Sequence, residues 1–346
     1  MACCRLVNLC AEDGGRQRAV AAEALEAAVE ALRAHPQSTA VQELGCWVLV
    51  NVCSGSDAVG AACRQRAVGA KALEAAVEAM RLHPQTVCVQ EMGCRVLDNV
   101  SYGSDAAAAA RRQRAVGAKA LGAAVDALRT HPRLAAVQEH GCRVLLTVCC
   151  GDDAAVAARL QRVASAEALE TAVAAIRAHP QAVDVQKLGC SVLERVCCGS
   201  DAAGAARRQR AAGAEALEAA VVAMQTHPQA ADVQAQGCTV LANVCCGGDV
   251  GGEARRQRAA DAEALEAAVV AMQTHPQVAA VQAEGCRMLL TVCYGGDAAA
   301  AARLQRATLA GACAAATAAR QAHPGNAVLQ SSAQALLVQL GFPPTE

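Results

Sequence analysis

The chain has 346 residues, of which 54% are hydrophobic, 18% are charged and 1% are aromatic. Its formal net charge is −1, so it has no overall field that would attract nucleic acid or an anionic membrane. These values favour a protein partner over nucleic acid. The apolar residues are largely alanine, which suits close helix packing and suits strands poorly.

The 20 cysteines follow the sequence repeat described below and do not form a disulfide framework, and no signal peptide precedes them. This pattern predicts an intracellular protein in a reducing compartment, with the cytoplasm as the first expectation and the nucleus as the alternative. Every apolar run is interrupted by a charge or a glycine before it could span a bilayer, so no transmembrane segment is expected.

The chain begins with residues 1–10, in which Cys4 to Cys10 resemble a third helix whose own repeat is missing. After this partial repeat, the dipeptide His-Pro recurs every 48 residues, which predicts a tandem array without linkers. The seven histidines are His35, His83, His131, His179, His227, His275 and His323. The predicted repeats are approximately 11–55, 56–103, 104–151, 152–199, 200–247, 248–295 and 296–346, within one domain spanning 1–346.

One repeat, residues 104–151, is predicted to contain three helices. Ser104 and Asp105 start an alanine-rich first helix that ends at Gly117. A second helix follows from Ala118 and closes at the His-Pro pair that begins at His131. In the third helix an apolar stripe at helical spacing includes Gly141. Because glycine disfavours a helix interior by about 1 kcal/mol, we expect a neighbouring helix to approach closely there.

This three-helix pattern, with third helices such as VQELGCWVLVNVC, resembles an armadillo repeat over nearly the whole chain. Trp47 and Asn51 have the Trp-x-x-x-Asn spacing that armadillo proteins use on their third helix. The variant is most similar to the armadillo regions that accompany leucine-rich-repeat kinases, although the chain contains no kinase sequence. The resemblance implies a right-handed α-solenoid of seven three-helix repeats; HEAT repeats are the structural alternative. The 48-residue unit is longer than the family norm.

The resemblance implies that the third helices form an inner, concave surface that binds an extended peptide or a partner domain. On a helical wheel, Gly45 faces the core and Trp47 and Asn51 fall on the opposite side. Matching asparagines would hold a peptide backbone, and aromatic residues are frequent anchors at interfaces. The predicted partner-binding residues are Asn8, Glu43, Trp47, Asn51, Arg95, Asn99, Tyr102, Arg143, Arg195, Asn243, Arg287 and Tyr294. Their mixed charges favour a partner with both signs of charge.

Two other functions remain open at this point. The first-helix arginines, such as Arg66 and Arg258, could bind phosphate or nucleic acid, or could pair with glutamates of the second helices. The chain could also be the regulatory repeat region of a larger signalling protein.

No catalytic motif is present, so no enzyme activity and no cofactor are expected. No metal site is expected either, because stacked helices hold equivalent residues about 8–10 Å apart, too far to share a zinc ion.

Overall fold

A computed structural model of the protein describes residues 23–105, 107–151, 154–165, 167–199, 201–248 and 250–342. Within these ranges the fold consists of twenty α-helices and no strand, which confirms the all-α prediction. In chain order the helices are α1 Ala24–Ala34, α2 Thr39–Cys53, α3 Ala58–Gly69, α4 Ala72–Leu82, α5 Val87–Ser101, α6 Ala108–Gly117, α7 Ala120–Thr130, α8 Ala135–Cys149, α9 Val156–Ser165, α10 Ala168–Ala178, α11 Val183–Cys197, α12 Ala202–Gly213, α13 Ala216–Thr226, α14 Ala231–Cys245, α15 Val250–Asp261, α16 Ala264–Thr274, α17 Ala279–Val292, α18 Ala298–Ala310, α19 Ala312–Ala322 and α20 Ala327–Gln339.

The helices recur in threes with the period of the sequence, and we call them helix one, helix two and helix three of each repeat. The described residues hold six such groups, from α3–α5 to α18–α20, preceded by α1 and α2. In the repeat 104–151, helix one ends at Gly117 and helix two ends immediately before His131, as the sequence predicts. The partial repeat 1–10 lies outside the described residues.

Contacts between residues divide the chain into two compact units, unit 1 (Met1–Thr171) and unit 2 (Ala172–Glu346). In unit 1, α2, α5 and α8 pack in that order, so each helix three contacts the next one. In unit 2, α11, α14, α17 and α20 pack in the same way. Within both units a helix two also packs on the helix three that follows it, as α1 does on α2 in unit 1 and α13 does on α14 in unit 2. These contacts between consecutive helices are consistent with an α-solenoid.

The core is aliphatic, and in every repeat but the last it contains a glycine of helix three; the last repeat has a buried alanine, Ala333, at this position. Leu49 and Leu97 are fully buried, as are their equivalents up to Leu289, and Leu337 of the last repeat is 8% exposed. A Cβ atom on Gly141 would lie 2.6 Å from Leu128 of helix two, and one on Gly93 would lie 2.4 Å from Met80. The prediction that this glycine permits a close approach of a neighbouring helix is therefore confirmed.

The His-Pro pair closes helix two and also joins neighbouring repeats, which the sequence did not indicate. The His131 ring Nε2 lies 2.8 Å from the carbonyl oxygen of Pro84, the proline of the preceding repeat. Because a carbonyl only accepts hydrogen bonds, the ring hydrogen sits on Nε2. Equivalent contacts of 2.7–2.9 Å join His83 to Pro36, His227 to Pro180, His275 to Pro228, and His323 to Pro276.

Candidate functional site

We define the helix-three face as the positions of each repeat that are equivalent to Glu43, Trp47, Asn51 and Tyr102, of which the last lies just beyond the end of helix three. Helices α2, α5 and α8 carry this face in unit 1, and α11, α14, α17 and α20 carry it in unit 2. Every predicted site residue except Asn8 lies within the described residues, and Asn8 lies outside them. The remaining eleven are half-buried or exposed on their helices.

All four aromatic residues of the chain are exposed. The exposed fractions are 41% for Trp47, 52% for Tyr102, 60% for Tyr294 and 48% for Phe342. The core contains no aromatic side chain, so its packing does not account for any of them. This differs from the usual pattern, in which aromatic residues dominate a core.

Each of the two tyrosines rests on a buried arginine. Arg64 is 2% exposed, and its guanidinium carbon lies 5.7 Å from the centroid of the Tyr102 ring. In unit 2, Arg256 lies 5.4 Å from the ring of Tyr294. A guanidinium at this distance attracts the face of the ring. This contact favours one position of each tyrosine ring in the absence of a partner.

Buried arginines of helix one form a structural set that sequence reasoning missed. Arg159 is 1% exposed, and it donates hydrogen bonds to the carbonyl oxygens of Val148 at 2.8 Å and Cys150 at 2.9 Å. These carbonyls end the preceding helix three, where helix geometry leaves acceptors unsatisfied and the dipole is negative. Arg207 makes the same contacts in unit 2. The recurrence of this arginine every 48 residues was the available signal.

The recurring glutamine of helix three has a comparable role at the end of helix two. Gln138 is 2% exposed, and its Nε2 donates to the carbonyl oxygens of Leu128 and His131 at 2.8 and 3.1 Å. Gln234 repeats this arrangement in unit 2. These glutamines satisfy carbonyls that would otherwise be buried without a donor.

Two of the asparagines that the resemblance assigns to peptide binding, Asn99 and Asn243, already bond within the protein. The Asn99 amide donates to the carbonyl oxygen of Val50 at 3.1 Å, and Asn243 donates to that of Glu194 at 3.2 Å. Asn243 also accepts a hydrogen bond from Arg287 at 3.0 Å. Since each amide has two N–H groups, one donor of each side chain remains for a ligand.

Three of the four predicted arginines on the face form ion pairs within their own helix. Arg143 lies 2.6 Å from Glu139, Arg287 lies 2.6 Å from Glu284, and Arg95 lies 3.9 Å from Glu91. These arginine side chains are 37–41% exposed, and ion pairs with this exposure contribute little stability. A partner's charged groups can therefore replace the glutamates. The fourth, Arg195, is half-buried on α11.

Two carboxylates near this face are unusually buried. Burial raises the pKa of Asp98, although the hydroxyl of Thr147 donates a hydrogen bond of 2.5 Å to it and Arg143 lies near. Burial also raises the pKa of Glu194 in unit 2. His140 is half-buried, and this burial lowers the pKa of its ring.

The first-helix arginines proposed as an alternative anion site mostly pair with carboxylates. Arg66 lies 2.6 Å from Glu26, and Arg258 lies 2.5 Å from Glu218. Arg114 and Arg306 make the same contact with a glutamate on helix two of the preceding repeat, 40 residues earlier. The pairing reduces the positive charge available to a phosphate.

Every cysteine within the described ranges that the structure characterises is a free thiol. Cys46, Cys142 and Cys238 are buried at the interface between repeats, and burial raises the pKa of each to about 12. Cys150 and Cys198 are half-buried and Cys246 is exposed at the end of helix three. The part of the chain that the structure describes contains no cluster of three or more candidate metal ligands.

No helix among these residues is both long and apolar enough to cross a bilayer. Protein-family models give no match to the sequence, and curated proteins give none either. The residue pattern and the geometry described above are therefore the basis for a functional proposal.

Proposed function

We propose that the protein is a non-enzymatic scaffold of seven armadillo-like, three-helix repeats, in which the helix-three face binds an extended segment or domain of a protein partner. The observation that carries this proposal is the exposure of all four aromatic residues, between 41% and 60%. Aromatic side chains supply large contact areas with few torsions to order, and they are enriched among the residues that dominate binding energy. The free thiols suit a reducing intracellular compartment.

The partner would combine apolar or aromatic side chains with charges of both signs. Trp47 and Tyr102 supply apolar contact in unit 1, and Tyr294 supplies it in unit 2. The exposed ion pairs Arg95–Glu91 and Arg143–Glu139 can each bind either sign of charge after exchange. Because Asn99 and Asn243 already use one amide donor, we assign the main anchoring role to the aromatic residues.

The test is a selection of peptides from a random displayed library on the full chain, followed by titration of the selected peptides. The single tryptophan, Trp47, makes intrinsic fluorescence a direct readout in the wild-type protein. The double variant Trp47→Ala/Tyr102→Ala lacks this tryptophan, so its affinity is measured in a second assay that does not use intrinsic fluorescence. It should bind the selected peptides at least tenfold more weakly than the wild type does.

The matched control is Leu309→Ala, which shortens a residue that is 82% exposed on helix one. It should leave affinity unchanged. If the double variant keeps its helical circular dichroism and binds the selected peptides as tightly as the wild type, the assignment of the helix-three face is wrong.

A further inference from the structure

A pocket of about 430 Å³ opens in unit 1 between α4 and α7, which are the second helices of neighbouring repeats. Its apolar wall includes Val77, Met80 and Pro84, and its charged rim includes Arg81, Lys119 and Arg129. The volume falls in the range of small-ligand sites, about 300–1,000 Å³. None of these residues belongs to the helix-three face.

The pocket contains a glycine that packing does not explain. Gly122 lies inside helix α7, and a Cβ atom placed on it would meet nothing within 4 Å. It differs from Gly141, whose Cβ would contact Leu128. A glycine inside a helix lowers stability relative to alanine. At the same position, the equivalents Glu26, Glu74, Glu218 and Glu266 each hold an arginine of the next repeat. Gly122 therefore removes both a side chain and a negative charge from the pocket.

Lys119 makes the pocket still more positive. One repeat later, the residues equivalent to Arg81 and Lys119 are Arg129 and Glu167, and they form an ion pair. In unit 2, Arg177 and Glu215 pair in the same way. Lys119 instead places an ammonium group near Arg81. Arg81 pairs with Glu78 of its own helix at 2.7 Å. Among the described residues, the ammonium group of Lys119 has no hydrogen-bond or ion-pair partner.

We infer that this pocket binds a monoanionic carboxylate attached to an apolar group of about the size of an aromatic amino acid. The apolar group would contact Val77 and Met80, and the carboxylate would bind Lys119. Asp126 also lines the pocket and is exposed. Its negative charge opposes a dianion, so a carboxylate fits this site better than a phosphate does. The ligand could be a small molecule or a side-chain carboxylate beside an aromatic residue in a peptide.

The test uses N-acetyl-L-phenylalanine as the small-molecule probe and acetyl-Ala-Phe-Asp-Ala-amide as the peptide probe. N-acetyl-L-phenylalaninamide is the uncharged control. Amide chemical shifts of the full chain are followed during titration, with the amide of Ala123, which lines the pocket, as the reporter. We expect saturable shifts with at least one acidic probe and at least tenfold weaker binding of the uncharged control. Which acidic probe binds identifies the source of the carboxylate.

Two variants restore the residues that other repeats carry and should therefore fold. Lys119→Glu and Gly122→Glu should each weaken binding of the acidic probe at least tenfold. The matched control is Lys71→Glu, which makes the same charge change at the equivalent position one repeat earlier, where Glu74 is present. It should change affinity less than twofold. The absence of saturable shifts with both acidic probes, or equal loss in all three variants, would overturn the inference.

Discussion

Unit 1 and unit 2 pack consecutive third helices in the same way, but the outer surfaces of their second helices differ. In unit 1 this surface carries exposed charges, as in Glu78 with Arg81 and Asp126 with Arg129. In unit 2 the positions equivalent to Glu78 and Asp126 are Val222 and Val270, which are 52% and 51% exposed. Two positions that are equivalent in sequence therefore present opposite chemistry to solvent.

This difference shows which positions the packing of neighbouring repeats constrains. Gln138 and Gln234 occupy equivalent places in the two units and satisfy the same helix-two carbonyls. These internal positions change little because a buried acceptor without a donor is unfavourable. The outer surface of helix two is under no such constraint, so it can differ between units without a change of fold.

The largest effect is expected from loss of the buried glutamine. Gln138→Leu in unit 1 and Gln234→Leu in unit 2 each remove donors from two buried carbonyls, and each should lower the free energy of unfolding by about 2 kcal/mol or more. Urea denaturation followed by circular dichroism measures this. The control Gln225→Leu changes an exposed glutamine and should alter stability by less than about 0.5 kcal/mol. A large loss in only one of the two buried variants would show that the units differ internally.

A smaller, pH-dependent effect is expected from Asp105→Asn in unit 1. Asp105 accepts hydrogen bonds from the buried Arg111 at 2.6 and 2.9 Å, and this arginine lowers the pKa of the carboxyl from 3.8 to about 2. A lowered folded-state pKa stabilises the protein above the unfolded-state value, and that stability disappears as the pH falls to about 2. Because the Asp105 side chain is 36% exposed, solvent screens this contact, and the variant should be less stable by only about 1 kcal/mol at pH 7. The difference should vanish near the folded-state pKa.

The control in unit 2 for this experiment is Asp201→Asn. Asp201 caps helix α12 by accepting a hydrogen bond from the Gly204 amide at 2.8 Å. Because asparagine caps helices about as well as aspartate, this change should cost only a few tenths of a kcal/mol. A loss in Asp105→Asn that stays constant from pH 7 to pH 2 would contradict the role of the Arg111 contact.

The smallest change in stability is expected on the outer surface of helix two. Val222→Glu/Val270→Glu gives unit 2 the acidic residues of unit 1 and should reduce retention on a hydrophobic interaction column. Stability should change by less than about 0.5 kcal/mol, because both side chains are half exposed. The reverse variant is Glu30→Val/Glu78→Val, in which Glu30 is the exposed residue equivalent to Glu78 one repeat earlier, and it should increase retention. Unchanged retention in both variants would show that these positions do not set the surface difference.

The sequence predicted the helices of a repeat well because their signals are local. Gly117 ends helix one, and the histidine at 131 follows helix two, as their residue types indicate. The face that carries Trp47 was also predictable, since helical periodicity sets the side from which a residue points. The hydrogen bond from Asn99 to Val50 was not predictable. It joins residues 49 positions apart, and the sequence gives no distance between neighbouring repeats.

By itself, the sequence determined the 48-residue period, the helical composition and the equivalence of positions between repeats. Only the tertiary structure decided which residues satisfy one another. Arg159 donates a hydrogen bond to a carbonyl oxygen at the end of the preceding helix three, and His131 donates one to the proline carbonyl of the preceding repeat. The tertiary structure also showed that two helical glycines have different surroundings: Gly141 packs against Leu128, whereas Gly122 lines a pocket. The physical reason is that a repeat shows which positions are alike, whereas partners depend on how adjacent repeats stack.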